Sequence, residues 1–294
     1  MLPVLFNLLS DAHQAERLCK ALEIEQGVLG HRHFPDGEHY LRLLTDVTDR
    51  HVIIYCSLTD PDSRILPLLF LAKTARKEGA RFITLMTPYL PYMRQDECFN
   101  SGEAVTADLF AALISEAVDE LITVDPHLHR YDSLSPIYSC KTRIVSTTEA
   151  LAQWISSNVA NPLIIGPDAE SAQWVIPLAR KVQAPHIVLE KLRRGDRDVS
   201  ISTLPQEALH NKTAVVVDDI ISSGQTILQT LIHVPESVTT VVIGIHGVLA
   251  DKCAEAISSR AQLVCTNTRS NSHAEIDVLP ALIATLAESI STLG

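Results

Sequence analysis

The sequence predicts an α/β protein of two similar domains, each a mainly parallel sheet flanked by helices. Three observations carry that prediction. Short β-branched runs alternate with stretches of helical apolar spacing along the whole chain, the rhythm of strand and helix taking turns. The runs Thr213–Val217 and Thr240–Ile245 lack polar alternation, as strands do when helices cover both faces of a sheet. Each half also sets an acidic or His-bearing loop directly behind a Val-rich strand, ITVDPH in the first and VVVDD in the second. The chain has 294 residues, which suits two domains of about 150 residues each.

In the first half, strands are expected at Val4–Leu9, His51–Leu58, Arg81–Met86 and Leu121–Asp125. Helices are expected between them at Ala12–Ala21, Ile65–Glu78 and Val105–Ala117, where apolar residues recur every three or four positions. The second half predicts strands at Pro162–Gly166, His186–Glu190, Thr213–Val217, Thr240–Ile245 and Gln262–Thr266. Its helices are Glu149–Ser157, Glu170–Val182, Gln225–His233, Asp251–Ser258 and Leu279–Thr292. No Pro/Gly/Ser linker interrupts the pattern, and the boundary is set near Ile144–Thr148, giving domains 1–145 and 146–294. The charged stretch Leu192–Ser200 is expected to be a mobile loop.

Composition removes several classes of function. Apolar residues make up 46% and charged residues 20% of the chain, a globular mixture. Lys and Arg number 24 against 35 Asp and Glu, a net charge of −11, which argues against general affinity for nucleic acid or an anionic membrane. Phosphate ligands stay possible, because local loops and cations bind them against the global charge. No apolar run approaches the ~18 residues of a membrane span. Six cysteines occur without a CxxC pair and read as reduced thiols. The start, MLPVLFNLLSD, lacks a basic n-region and reads as a first core strand. The expected location is the cytoplasm.

Ligands of open α/β sheets bind beyond the carboxyl ends of the strands, so the residues there carry the argument. The sharpest segment is Val215–Thr226, VVVDDIISSGQT. Ser222, Ser223 and Thr226 offer hydroxyls, Gly224 permits a tight turn, and the following helix presents unpaired amides at its positive end. Together these suit a phosphate group. Asp218 and Asp219 repel phosphate and suit sugar hydroxyls or magnesium. An acidic turn with a helix cap would read similarly, but the full order of strand, two Asp, two Ser, Gly and Thr favours a binding loop.

This segment resembles the phosphoribosyl-diphosphate motif of type I phosphoribosyltransferases and of ribose-phosphate diphosphokinases. Other segments single out the diphosphokinases. Phe34–Glu38 (FPDGE) resembles their nucleotide-binding segment, Tyr92–Thr106 their RQD segment and helix start, and Val124–His129 (VDPHLH) their VDxH segment. Gly166–Asp168 resembles the loop whose Asp approaches the diphosphate, and Glu190–Arg194 (EKLRR) the catalytic loop. His246–Ala250 and Thr266–Asn267 match later landmarks, so the likeness runs from about Asn7 to Leu282. The compact length and the SGEAVT segment are closest to the shorter archaeal-type members.

The resemblance implies two phosphoribosyltransferase-like domains, the first binding nucleotide and the second ribose 5-phosphate. It implies transfer of the diphosphoryl group of ATP to the C1 hydroxyl of ribose 5-phosphate, with Mg2+ as cofactor. By resemblance, Lys191 and Arg193 are catalytic. Phe34, Asp36, Gly37, Glu38, Arg94, Gln95, Asp96 and His127 bind ATP. Arg193, Asp218, Asp219, Ser222, Ser223, Gly224, Gln225 and Thr226 bind ribose 5-phosphate. His127 and Asp168 serve the metal, the imidazole through a water or the nucleotide, since magnesium favours oxygen. The family also implies a homo-oligomer, a dimer or hexamer with sites at subunit borders, and no nucleic-acid or membrane partner.

Two positions depart from the family. Gln225 replaces a small residue in the sugar-phosphate loop, and Glu170 brings negative charge near an anion site. They motivate an alternative, a non-catalytic regulatory paralogue that binds sugar phosphate or nucleotide. A base phosphoribosyltransferase shares the DD–SSGQT loop but needs no FPDGE or RQD segment. P-loop, GxGxxG, HExxH and GxSxG signatures are missing. His127 and His129 form an HxH pattern without a completing ligand set, which disfavours a metal hydrolase. His31 and His33 form another, and with no third ligand in view they read as surface residues.

Overall fold

The computed structural model describes residues 2–189, 191–193, 199–201, 204–250 and 252–293, with the side chains of 191–193 and 199–201 outside the description. The chain forms two compact units, 1–145 with 279–294, and 146–278.

The first unit begins β1 (Pro3–Asn7), α1 (Ala12–Leu22), β2 (Glu25–Gln26), β3 (Leu29–His33) and β4 (His39–Leu43). It continues β5 (His51–Tyr55), α2 (Pro61–Lys77), β6 (Phe82–Thr87), α3 (Thr106–Ala117), β7 (Glu120–Val124) and β8 (Lys141–Val145). Asp11 accepts from the Gln14 amide and caps α1, which satisfies one of the orphan donors at a helix start. The helix α2 starts four residues before the periodic pattern that predicted it, because Pro61 occupies its first turn, where a missing amide hydrogen costs nothing. All five sheet pairings are parallel, in the order β2-β1-β5-β6-β7-β8. Both β5 and β7 are buried at every position, as a doubly covered parallel strand requires.

The second unit holds α4 (Thr148–Asn158), β9 (Pro162–Gly166), α5 (Ala172–Lys181), β10 (His186–Val188), β11 (Lys191–Arg193) and β12 (Val199–Ile201). Then come β13 (Thr213–Ile221), α6 (Gln225–Ile232), β14 (Thr240–Gly247), α7 (Cys253–Ser258), β15 (Gln262–Thr266) and β16 (Ala274–Ile276). Its sheet is parallel in the order β10-β9-β13-β14-β15-β16. Alternate residues of β13 and β14 enter different cores. Ala214, Val216 and Val242 join one, while Val215, Val217, Val241 and Ile243 join the other. That alternation is the pleat of a strand buried on both faces.

The second unit starts at Ser146 and ends at Val278, so the end of the chain does not stay in it. Helix α8 (Leu279–Leu293) groups with the first unit, whereas the expected second domain runs to 294. The reason is chemical as well as apolar. Ser289 of α8 donates a short hydrogen bond to Glu120, which is fully buried in β7. Arg143 and Lys141 of β8 pair with the same carboxylate at 2.8 and 3.2 Å. Burial raises the Glu120 pKa, but the hydrogen bonds from Ser289, Arg143 and Lys141 together outweigh it and hold the carboxyl below its ordinary value. A buried charge persists only with such partners.

Three further expectations change. The strand expected to end at Val217 runs on through both aspartates to Ile221, paired with β14. The helix expected from Glu170 opens with a 3-10 turn at Ala169–Ser171 before α5. The stretch Leu192–Ser200, expected as a loop, has backbone pairing at its base: β11 and β12 form an antiparallel ladder from Lys191–Ile201 to Arg193–Val199. Its intervening residues 194–198 lie outside the described residues. None of the six cysteines, all of them described residues, forms a disulfide. Burial pushes the Cys19 thiol up to about 11 and the Cys56 and Cys265 thiols up to about 12, which keeps them protonated and unreactive. No described helix is long and apolar enough to cross a membrane.

Candidate active site

In the first unit, Phe34–Glu38 is the exposed tip of the antiparallel hairpin β3–β4. The tip is closed by the Phe34 amide donating to the Glu38 carbonyl at 2.8 Å and the Gly37 amide donating to the Phe34 carbonyl at 2.9 Å. Asp36 accepts from the Glu38 amide at 3.2 Å, a short Asx-type bond that fixes the turn. Gly37 stands at φ 92°, in a region that a Cβ disfavours. The Arg32 guanidinium lies 4.6 Å from the Phe34 ring centroid and 4.5 Å from that of Tyr40. This stack holds Phe34 at the tip although it is partly exposed.

Arg94, Gln95 and Asp96 follow β6. Arg94 is exposed and Asp96 is buried. The Gln95 carbonyl accepts from the Ala107 amide at 3.2 Å, pinning this segment to the start of α3. His127 follows β7, half-buried, with its ring 6.4 Å from that of exposed His129. Arg130 brings the two segments together. Its Nε lies 3.5 Å from Asp96 Oδ1, and its Nη2 makes a short hydrogen bond to Glu97. Arg130 was not singled out in the sequence, where it follows VDPHLH without a motif of its own. The other oxygen of Asp96 is buried without a hydrogen-bond partner, and such an acceptor calls for a donor. Tyr92 and Asp125, at φ 62° and 27°, precede Arg94 and His127 by two residues each. Non-glycine residues in this region store strain and concentrate near functional loops.

In the second unit, Asp168 stands just beyond β9 and accepts from the Ser171 amide at 3.3 Å, capping the 3-10 turn. Glu170 is exposed on that turn. Gly166 leaves room for the packed turn, because a Cβ there would press on Ser171 and lie 3.3 Å from Val175 Cγ2. Asp218 and Asp219 lie inside β13, the first half-buried and the second buried. Asp219 accepts from the Ile220 amide at 2.7 Å. Ser222, Ser223 and Gly224 then turn the chain into α6. The Ser222 carbonyl accepts from the Ala250 amide at 3.0 Å and from the Cys253 thiol at 3.1 Å. Gly224 caps α6 at φ 73°, and a Cβ there would sit 3.0 Å from Cys253 Cβ. Its N-cap residue, Gly224, offers no side chain to cap α6. Its positive end therefore faces the loop of Ser222, Ser223 and Thr226, an arrangement suited to an anion. Gln225 is exposed at the first position of α6. The side chains of Lys191 and Arg193 lie outside the described residues.

Residues 3–117 match the N-terminal domain of ribose phosphate pyrophosphokinase, and residues 140–278 match the phosphoribosyl transferase domain. The chain is 31% identical over 277 residues to the ribose-phosphate pyrophosphokinase of Sulfurisphaera tokodaii, covering 91% of this chain and 94% of that protein. The chain belongs to the ribose-phosphate pyrophosphokinase family. The pyrophosphokinase of Saccharolobus solfataricus is 34% identical over 217 residues, 73% of this chain and 74% of its own. A phosphoribosylpyrophosphate synthetase structure from Mycobacterium smegmatis covers 100% of both chains with a TM-score of 0.84 at 20% identity, a likeness of fold. The expected resemblance and the expected α/β architecture are both borne out. Within this pyrophosphokinase family chain, the first matched segment contains the Phe34–Glu38 hairpin and Arg94–Asp96, and the second contains Asp168 and the Asp218–Thr226 loop.

Proposed function

We propose that this chain transfers the diphosphoryl group of ATP to the C1 hydroxyl of ribose 5-phosphate, giving 5-phosphoribosyl 1-diphosphate and AMP. The single observation that carries the reading is the loop at the end of β13. Two carboxylates precede a hydroxyl-lined turn, which opens onto a helix start with no side-chain cap. The turn suits the 5-phosphate, and Asp218 and Asp219 suit the ribose hydroxyls. In the first unit, Arg94, Gln95 and His127 suit the nucleotide, with Phe34–Glu38 contributing from the hairpin tip. The buried, unpartnered oxygen of Asp96 would accept from the adenine amino group or a nucleotide hydroxyl.

The C1 oxygen forms a bond to the β-phosphorus, the bond from that phosphorus to the α,β-bridging oxygen breaks, AMP leaves with that oxygen, and the hydroxyl proton passes to solvent. Such transfers depend on positioning and on neutralising charge. Lys191 and Arg193 are the cations proposed to stabilise that charge. The half-exposed Asp168 carboxylate at a strand end fits the oxygen preference of Mg2+, and His127 would act through a water. When bound, Mg2+ neutralises phosphate charge. Exposure of Gln225 and Glu170 gives neither side chain a packed position inside the loop, so the catalytic reading is preferred to the regulatory one.

We also infer a homo-oligomer, a dimer or a hexamer, working in the cytoplasm. Exposed i, i+4 apolar pairs support association: Leu66 with Phe70 on α2, and Leu109 with Leu113 on α3. Six cysteines outside any disulfide fit a reducing compartment. The test is AMP release from Mg-ATP by the purified chain. Release that requires ribose 5-phosphate supports the reading, whereas nucleotide binding without product supports the regulatory paralogue.

A further inference from the structure

The hairpin β3–β4 has a second feature, on the face opposite the Arg32 stack. Its register pairs Leu29 with Leu43, His31 with Leu41 and His33 with His39. Alternate residues of a strand share a face, so these six side chains stand together. Leu29, Leu41 and Leu43 pack against the core of the first unit and anchor that face. The three imidazoles continue it toward the tip. Their ring centroids are 5.3 Å apart for His31 and His33, 5.3 Å for His31 and His39, and 4.4 Å for His33 and His39. One ring nitrogen from each lies within 4.8 Å of the other two. His31 Nε2 is 3.1 Å from His39 Nδ1, a hydrogen bond in which one ring donates to the lone pair of the other.

Three imidazole nitrogens at one point form a donor set of defined chemistry. Imidazole suits zinc, nickel, copper and iron, whereas magnesium and calcium prefer oxygen. Three histidines with an open fourth position are a recurrent zinc arrangement. A tetrahedral zinc with bonds of 2.0–2.1 Å holds its nitrogens roughly 3.3 Å apart, the separation His31 and His39 already have. His33, partnered across the strands with His39, is brought closer by rotation about its soft χ2.

We propose that His31, His33 and His39 bind one divalent transition-metal ion of the zinc class, leaving a coordination position for water or an exogenous ligand. Only coordination bonds form, and the proton shared by His31 and His39 moves to another ring nitrogen or to solvent. The ion would cross-link β3 and β4 directly beneath the Phe34–Glu38 tip. The inference rests on this hairpin alone and does not depend on the diphosphokinase reading.

The test uses the full chain without an affinity tag, stripped with a chelator and titrated with Co2+ and Zn2+. Co2+ reports its own coordination through visible absorption, and Zn2+ competes it away. Saturation near one ion per chain is expected. His33→Ala and His39→Ala should each weaken binding by at least ~10-fold, no less than the loss of a supporting group around a metal. His33 is exposed, so its replacement leaves the fold intact, as circular dichroism would verify. His13→Ala on α1 is the control and should leave the titration unchanged. No saturable binding in the wild-type chain, or binding in His33→Ala and His39→Ala as tight as in the wild-type chain, would overturn the proposal.

Discussion

The two units are two copies of one topology with different chemistry at the strand ends. Each pairs its first strand with an edge strand, inserts a two-stranded antiparallel hairpin, and then adds four strands in sequence. In the first unit the hairpin is β3–β4, and its exposed tip carries Phe34, Asp36 and Glu38. In the second it is β11–β12, and Lys191 and Arg193 stand in its first strand. The loops beyond the sheet differ in the same way. The first unit presents Arg94, Gln95 and His127, donors suited to a nucleotide. The second presents Asp168, two carboxylates on β13 and an uncapped helix start. A repeated scaffold thus places loops at equivalent points, and under the proposed function the residues in those loops decide which ligand each copy receives.

The largest expected effect falls on the second hairpin. Lys191→Ala should lower kcat by roughly 10²–10³, the scale of one lost transition-state contact, while ATP binding persists. Turnover like that of the wild-type chain would remove β11 from the mechanism and break the contrast between the hairpins.

The next effect is confined to the first unit and concerns pH. His51 is buried and hydrogen-bonded to Thr84 at 2.8 Å, and Thr84 donates to Glu120 at 3.2 Å. Burial lowers the His51 pKa to about 4 from 6.5. A base whose folded pKa is depressed binds its proton more readily when unfolded, so stability falls as pH drops from about 6.5 to about 4. The loss is on the order of 3 kcal/mol. Glu120 extends the sensitivity to more acidic pH. Its folded pKa is depressed, so its contribution is present above the unfolded value and disappears as pH falls through the folded one. Thermal melts from pH 7 to 4 measure this, and His51→Gln should flatten the upper part of the curve. An unchanged slope in that variant would assign the acid sensitivity elsewhere.

Ser289→Ala should cost roughly 1.5–3 kcal/mol, as for a hydrogen bond to a charged group. Denaturant melts would register it, and a change below about 0.5 kcal/mol would mean that α8 is held by apolar packing alone. The smallest effect is expected at Gln225→Ala. Its side chain is exposed, so stability should move by less than about 0.5 kcal/mol. A markedly lower KM for ribose 5-phosphate in this variant would show that Gln225 crowds the sugar-phosphate loop.

Strand-helix alternation made the parallel sheets legible, because β5, β7 and β14 are buried along their lengths and so read as apolar runs. Motif order made the β13 loop stand out as a candidate site, since those residues are contiguous. Features that depend on pairing were not legible. His39 looks unrelated to His31 and His33 until the hairpin register sets it opposite His33. Arg130 acquires meaning only when folding brings it to Asp96 and Glu97. The return of α8 to the first unit brings Ser289 to Glu120, which lies 169 residues away in sequence, and no local periodicity encodes such a partner.

The division of ligands between the two units is tested most directly at Gly224. Its positive φ and the nearby Cys253 and Ile257 side chains exclude a larger residue. Calorimetric titration of the full-length Gly224→Val chain, with its fold verified by circular dichroism, should show ribose 5-phosphate binding lost and Mg-ATP binding retained. Retained ribose 5-phosphate binding, or loss of both ligands together from a folded chain, would contradict the assignment of one anionic substrate to each copy of the fold.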